Sequence, residues 1–107
     1  MSLGGKPESI GDFTKISAHL IVKGLVQGVG FRWFVRSEAN QRGLVGTVSN
    51  LLDGQVEIWA EGDRSDIDDF ISALKEGNGY SHVDSIKQDF GDNRGNFNDF
   101  RIKMTGF

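Results

Sequence analysis

The chain contains no cysteine, which removes disulfide staples, thiolate nucleophiles and cysteine-based zinc sites together and leaves metal-free chemistry as the default. Proline is nearly absent too. Pro7 stands alone beside fifteen glycines, an ordinary globular composition with a turn-rich bias. No apolar run approaches the roughly 18 residues that a membrane span requires, and the start lacks the basic-then-apolar pattern of a signal peptide. A cytoplasmic protein is therefore expected. A large excess of either charge is also missing, for the net charge is only -3, and no global basic field exists to hold nucleic acid by counterion release. Any anionic ligand must be held by a local site.

What remains is enough for one core. The chain's 107 residues, 37% of them apolar and 25% charged, make one compact domain of common size. The opening Met1-Ser2-Leu3-Gly4-Gly5 reads as a remnant of processing or expression, and no periodic pattern follows it through Gly11. Residues 1–12 are accordingly expected to be a flexible N-terminal segment, and 13–107 the domain.

Apolar residues at Ile16, Ala18, Leu20 and Val22 alternate with Ser17, His19 and Lys23, predicting a half-buried strand that ends at Gly24. After Gln27-Gly28-Val29-Gly30, the spacing of Phe31, Phe34, Val35 and Ala39 predicts a helix over 31–42 with Gly43 as its cap. Two further strands, 44–50 and 56–61, flank Leu51-Leu52-Asp53-Gly54, whose Asp-Gly pair signals an antiparallel hairpin. A second helix is marked by Ile67, Phe70, Ile71 and Leu74, with Ser65 and Asp68 in capping-box spacing, Lys75 near its end and Gly77 beyond. A fourth strand spans 83–90, where Val83, Ile86 and Phe90 break strict alternation and suggest a bulge. Phe100, Ile102 and Met104 then alternate with Arg101 and Lys103, predicting a short final strand.

The order strand, helix, strand, strand, helix, strand, plus a short extra strand matches an α+β split βαβ, the ferredoxin-like sandwich. Two helices should cover one face of an antiparallel sheet. That architecture hosts many unrelated functions, so the site has to decide.

The run Gly24-Leu25-Val26-Gln27-Gly28-Val29-Gly30-Phe31-Arg32 joins a strand to a helix start, where N–H groups lack intrahelical partners and the helix dipole is positive. Glycines allow N–H groups to converge on one oxyanion, and Arg32 can add a forked clamp. Taken alone, a glycine turn between strand and helix is more often plain geometry, and the run has neither a following Gly-Lys-Ser/Thr nor dinucleotide-type glycine spacing.

The full string closely resembles the signature of the acylphosphatase family. A second block, Gly46-Thr47-Val48-Ser49-Asn50-Leu51-Leu52-Asp53-Gly54-Gln55-Val56-Glu57, resembles that family's other signature at a fitting distance, and the element order extends the resemblance over about 16–104. The resemblance implies a hydrolase of carboxyl-phosphate anhydrides without cofactor or metal. It assigns phosphate binding to Gln27, Gly28, Val29, Gly30, Phe31 and Arg32, and the positioning of catalytic water to Asn50. Three positions depart from the family pattern: Thr47 stands where an aromatic residue is frequent, Ser49 where a basic one is, and Leu52 where proline is. None is a named catalytic group. The implied partners are a small acyl phosphate and, as a site ligand, inorganic phosphate or sulfate. A monomer is expected, with neither nucleic acid nor membrane as partner.

Such chemistry suits these residues, because an acyl phosphate carries a good carboxylate leaving group and chiefly needs positioning and charge stabilisation. Other candidates read as structural. His19 and His82 stand far apart with no cysteine, and Asp66, Asp68 and Asp69 fall where a helix dipole favours acids. Residues 89–99 lack the glycine and glutamate positions of a calcium loop. Arg36 and Arg42 read as solvated helix residues. An RNA-recognition module, which shares the topology, would stack bases on sheet aromatics. Here Phe31-Arg32-Trp33-Phe34 falls at a helix start instead, and Trp59 shares its strand face with Glu57 and Glu61, which repel phosphates.

Overall fold

The structure, a computed structural model, describes residues 15–104, so the expected segment 1–12 and the domain boundary at 13 lie outside the described residues. Seven elements follow one another: β1 (Lys15–Leu25), α1 (Phe31–Gln41), β2 (Val45–Asn50), β3 (Val56–Asp63), α2 (Arg64–Glu76), β4 (His82–Asp92) and β5 (Phe100–Lys103). The strands form one sheet in the order β4-β1-β3-β2-β5. Period-two alternation does its expected work at the centre. Ala18, Leu20 and Val22 of β1 are fully buried and sit opposite Ala60, Ile58 and Val56 of β3. Onto this apolar face α1 lays Phe31, Val35 and Ala39, and α2 lays Ile67, Phe70, Ile71 and Leu74. Burying each of the larger side chains contributes about 1.5–3 kcal/mol.

The structure differs from the sequence-based expectation in three places. First, the sheet is mixed, because β5 pairs with β2 in parallel while all other pairs are antiparallel. The reason is topological: β4 and β5 occupy opposite edges, so the connection crosses the sheet and sends β5 back against the direction of β4, which is the direction of β2. The Asp99 carbonyl seats this arrival by accepting the Gly46 N–H at 2.8 Å, and Phe100 meets Phe70 of α2 edge-on at 6.3 Å.

Second, α2 begins at Arg64 rather than after Ser65, with Asp63 as its cap residue. β3 runs straight into the helix, and Asp68 accepts from Arg64 Nε at 3.1 Å instead of closing a capping box. Third, β4 is longer than expected and takes in Gly91 and Asp92.

The expected bulge is present and explains the broken pattern of β4. Lys23 faces Ser85 while Gly24 faces Val83, which leaves Asp84 as the extra residue. The insertion puts Val83 and Ile86, three positions apart, on the helix-covered face. Gly24 is required there, because its φ is 139° and a Cβ would lie 2.0 Å from the His82 carbonyl oxygen. Arg42 ties the helices together, donating to Asp69 at 2.9 Å and to the Glu38 carboxylate at 2.8 Å. Burial opposes its charge, but these bonds outweigh that and raise its pKa above the ordinary value.

Candidate functional site

Past the end of β1 the chain turns through residues 26–30 with Gly28 and Gly30 both at φ 74°, a left-handed conformation that costs glycine little. Gly30 is the cap residue of α1. In consequence the N–H groups from Gly28 to Trp33 point to no hydrogen-bond acceptor among the described residues, and pairing resumes only where Phe34 N–H donates to the Gly30 carbonyl at 3.1 Å. The dipole of α1 adds positive potential at the same place.

Gly28, Gly30, Phe31, Arg32 and Asn50 line a cavity of about 200 Å³ beside these N–H groups. Five of the expected site residues thus converge. Phe31 as a whole is 1% exposed and packs in the hydrophobic core. Arg32 is half-buried, and its Nη1 donates to the Lys103 carbonyl of β5 at 3.4 Å, a long bond that leaves most of the guanidinium donors free. Asn50 closes β2 opposite Val56. Its Oδ1 is buried and has no partner among the described residues, so it offers an acceptor to whatever enters the cavity.

The other two expected residues turn elsewhere. Gln27 Nε2 donates to the Leu51 and Gln55 carbonyls, each at 2.8 Å, so its side chain fastens the glycine loop to the hairpin that carries Asn50. Val29 turns its carbonyl to Asn78 Nδ2 at 2.9 Å. Sequence reasoning missed the bonding role of the Gln27 amide, Asn78 and the Lys103 carbonyl. Only Gln27 had a signal, as a polar residue inside the motif; Asn78 and Lys103 come from distant turns and edges.

The hairpin itself is firmly built. Leu51 N–H donates to Gln55 O at 2.8 Å and Gly54 N–H to Leu51 O at 3.2 Å. The Asp53 carboxylate accepts from the Gln55 backbone N–H at 3.0 Å and from the Gln55 side-chain amide. Those two bonds, the backbone one first, hold its pKa below the usual carboxylate value. Glu57 lies on the other side of the sheet and bonds His19 Nε2 at 2.7 Å. Neither carboxylate of the second block lines the cavity.

A wider hollow of about 910 Å³ lies elsewhere, on the helix-free face of the sheet, where Trp59, stacked on His19 at 4.1 Å, shares the lining with Arg94 and Phe97 of the β4–β5 connection. Its lining mixes the carboxylates of Asp89, Asp92 and Glu61, which repel a phosphate, with the cations Arg94, Arg101 and Lys103. The smaller cavity is therefore the candidate site. Of the remaining candidates, Arg36 lies over the Trp33 ring at 5.8 Å and His82 pairs with Asp84 at 3.1 Å. Among the described residues no three or more histidine, aspartate or glutamate side chains gather as a metal site would need.

The acylphosphatase family model matches residues 18–102. The chain is an enzyme of the acylphosphatase family. It is 56% identical over 66 residues to the acylphosphatase of Leuconostoc mesenteroides, covering 61% of this chain and 73% of that relative. The crystal structure of acylphosphatase from Bacillus subtilis superimposes with a TM-score of 0.80 at 41% identity, covering 82% of this chain and 98% of that one. HypF of T. kodakarensis also superimposes, with a TM-score of 0.75 at 35% identity over 84% of this chain, but that match takes in only 12% of HypF. The acylphosphatase fold is thus also found within a much longer protein.

Proposed function

We propose that this chain hydrolyses acyl phosphates to a carboxylate and inorganic phosphate. The observation that carries this reading is the gathering around one cavity of Arg32, of loop residues whose N–H groups have no partner among the described residues, and of Asn50, whose buried Oδ1 likewise has none among them. Membership of the acylphosphatase family supports it.

In this reading the N–H groups of residues 28–32 and the Arg32 guanidinium hold the phosphoryl oxygens, on which charge is spread in a loose transition state. Asn50 Oδ1 accepts a hydrogen bond from a water and turns its lone pair toward phosphorus. The new bond forms from water oxygen to phosphorus, the bond from phosphorus to the acyl oxygen breaks, and the electron pair leaves with the carboxylate. The water proton passes to a phosphoryl oxygen, a route supported by a cavity lining without histidine or carboxylate. No step calls for a metal or cofactor. We take the working form to be a cytoplasmic monomer; among the described residues no helix is long and apolar enough to cross a membrane.

The test is phosphate release from benzoyl phosphate, with and without EDTA. Turnover that persists under chelation is expected. A folded protein that binds phosphate yet releases none from benzoyl phosphate would refute the proposal.

A further inference from the structure

We propose that Asn78, in the turn after α2, is a positioning residue for the phosphate site: it sets the orientation of the Val29–Gly30 peptide so that the Gly30 N–H faces the anion. This rests on the reading of the cavity as a phosphate site. Asn78 touches neither substrate nor reacting atoms, and acts through the loop.

The argument begins with what glycine leaves undecided. Val29 lies between two glycines, Gly28 and Gly30, both at φ 74°. The tight turn needs their freedom, but the same freedom permits the intervening peptide plane to rotate through ψ of Val29 and φ of Gly30. In a trans peptide the C=O and the following N–H point in opposite directions, and the bonds here are all trans among the described residues. One orientation offers the cavity a donor, and the flipped one offers it a carbonyl oxygen that repels an anion.

Asn78 makes the choice. Its Nδ2 donates to the Val29 carbonyl at 2.9 Å, pulling that oxygen away from the cavity and leaving the Gly30 N–H on the opposite side. The amide is itself held firmly, since Oδ1 accepts from Tyr80 N–H at 3.0 Å and from Ser81 N–H at 2.9 Å. The backbone N–H of Asn78 donates to Ser81 Oγ at 3.2 Å. Gly77, the C-cap of α2 at φ 79°, starts this turn, so α2 reaches the phosphate loop through one side chain 49 positions distant in sequence.

The experiment follows backbone amides of isotope-labelled protein by NMR during titration with inorganic phosphate, alongside kcat and KM for benzoyl phosphate. Two variants are compared with the wild type. Asn78→Ala removes the donor; Asn78→Asp removes it but keeps the two bonds the turn gives to Oδ1. In the wild type, phosphate should shift the Gly30 amide along with its neighbours. In both variants the Gly30 response should be lost while that of Gly28 persists, and kcat/KM should fall about ten- to hundredfold, the scale of a catalytic group displaced by a fraction of an ångström. If Asn78→Ala does not fold, Asn78→Asp decides alone: a loss that persists at high salt supports the positioning role, and one that salt abolishes is mere repulsion by the new charge and overturns it. A wild-type Gly30 response in the variants overturns it as well. If no amide of residues 28–32 responds in the wild type, the phosphate site falls and this inference with it.

Discussion

Two residues divide the chemistry between charge and geometry. Arg32 carries the cation at the cavity and, among the described residues, is held by one long bond to Lys103, so its removal leaves the core intact. Arg32→Ala should retain the wild-type fold by circular dichroism and lose about 10² to 10³ in rate, the scale of deleting one transition-state donor. Asn50 is a neutral amide with a buried acceptor. Asn50→Ala should remove most of kcat while changing the inhibition constant of phosphate much less than Arg32→Ala does. Steady-state kinetics with phosphate as inhibitor reads both; unchanged kcat with badly weakened phosphate binding would make Asn50 an anion ligand instead.

At the scale of elements the site is a loop fastened to a hairpin, and the fastener is Gln27. Both carbonyls it serves have another partner, since Gly54 N–H bonds Leu51 O and Leu51 N–H bonds Gln55 O. Gln27→Ala should therefore cost only about 1–2 kcal/mol in urea unfolding. Gln27→Glu should cost more, because it sets a carboxylate against two carbonyl oxygens. The hairpin has its own acid response. The folded pKa of Asp53 is depressed, so its contribution is present above the ordinary carboxylate pKa and is lost as pH falls through the lower folded value. Asp53→Asn should accordingly narrow the stability difference between neutral and strongly acidic solution, measured by denaturation across that range.

Much of this was legible beforehand. The alternation in β1 and β3, the helical spacing of Phe31, Val35 and Ala39, and the Asp53-Gly54 turn are local signals, and of the seven residues named from the two motif blocks five line the cavity while Gln27 and Val29 do not. The direction of β5 was not legible, because its partner is chosen by where a seven-residue connection (93–99) comes down. Nor was the start of α2, where Asp63 ends a strand and begins a helix with no break in between. Asn78 acts through a bond to a backbone carbonyl, which leaves no pattern in a sequence.

For the whole molecule, the site should behave as a preformed anion receptor. Inorganic phosphate or sulfate should inhibit benzoyl phosphate hydrolysis competitively and raise the thermal midpoint, by about 2.7 kcal/mol of stability at a hundredfold excess over Kd. EDTA should leave turnover unchanged. Activity lost on chelation and restored by a divalent ion would end the metal-free account.

The parallel pairing of β5 with β2 also has a meaning in time. A ribosome releases the phosphate loop early, yet the carbonyl that Arg32 leans on belongs to Lys103, 71 positions later, on a strand whose register sets Gly46 against Phe100. Contacts so distant along the chain form late and slowly. A nascent chain can therefore gather its helices and central strands while its arginine still lacks its support, so that in synthesis, as in refolding, catalytic competence should lag behind compactness.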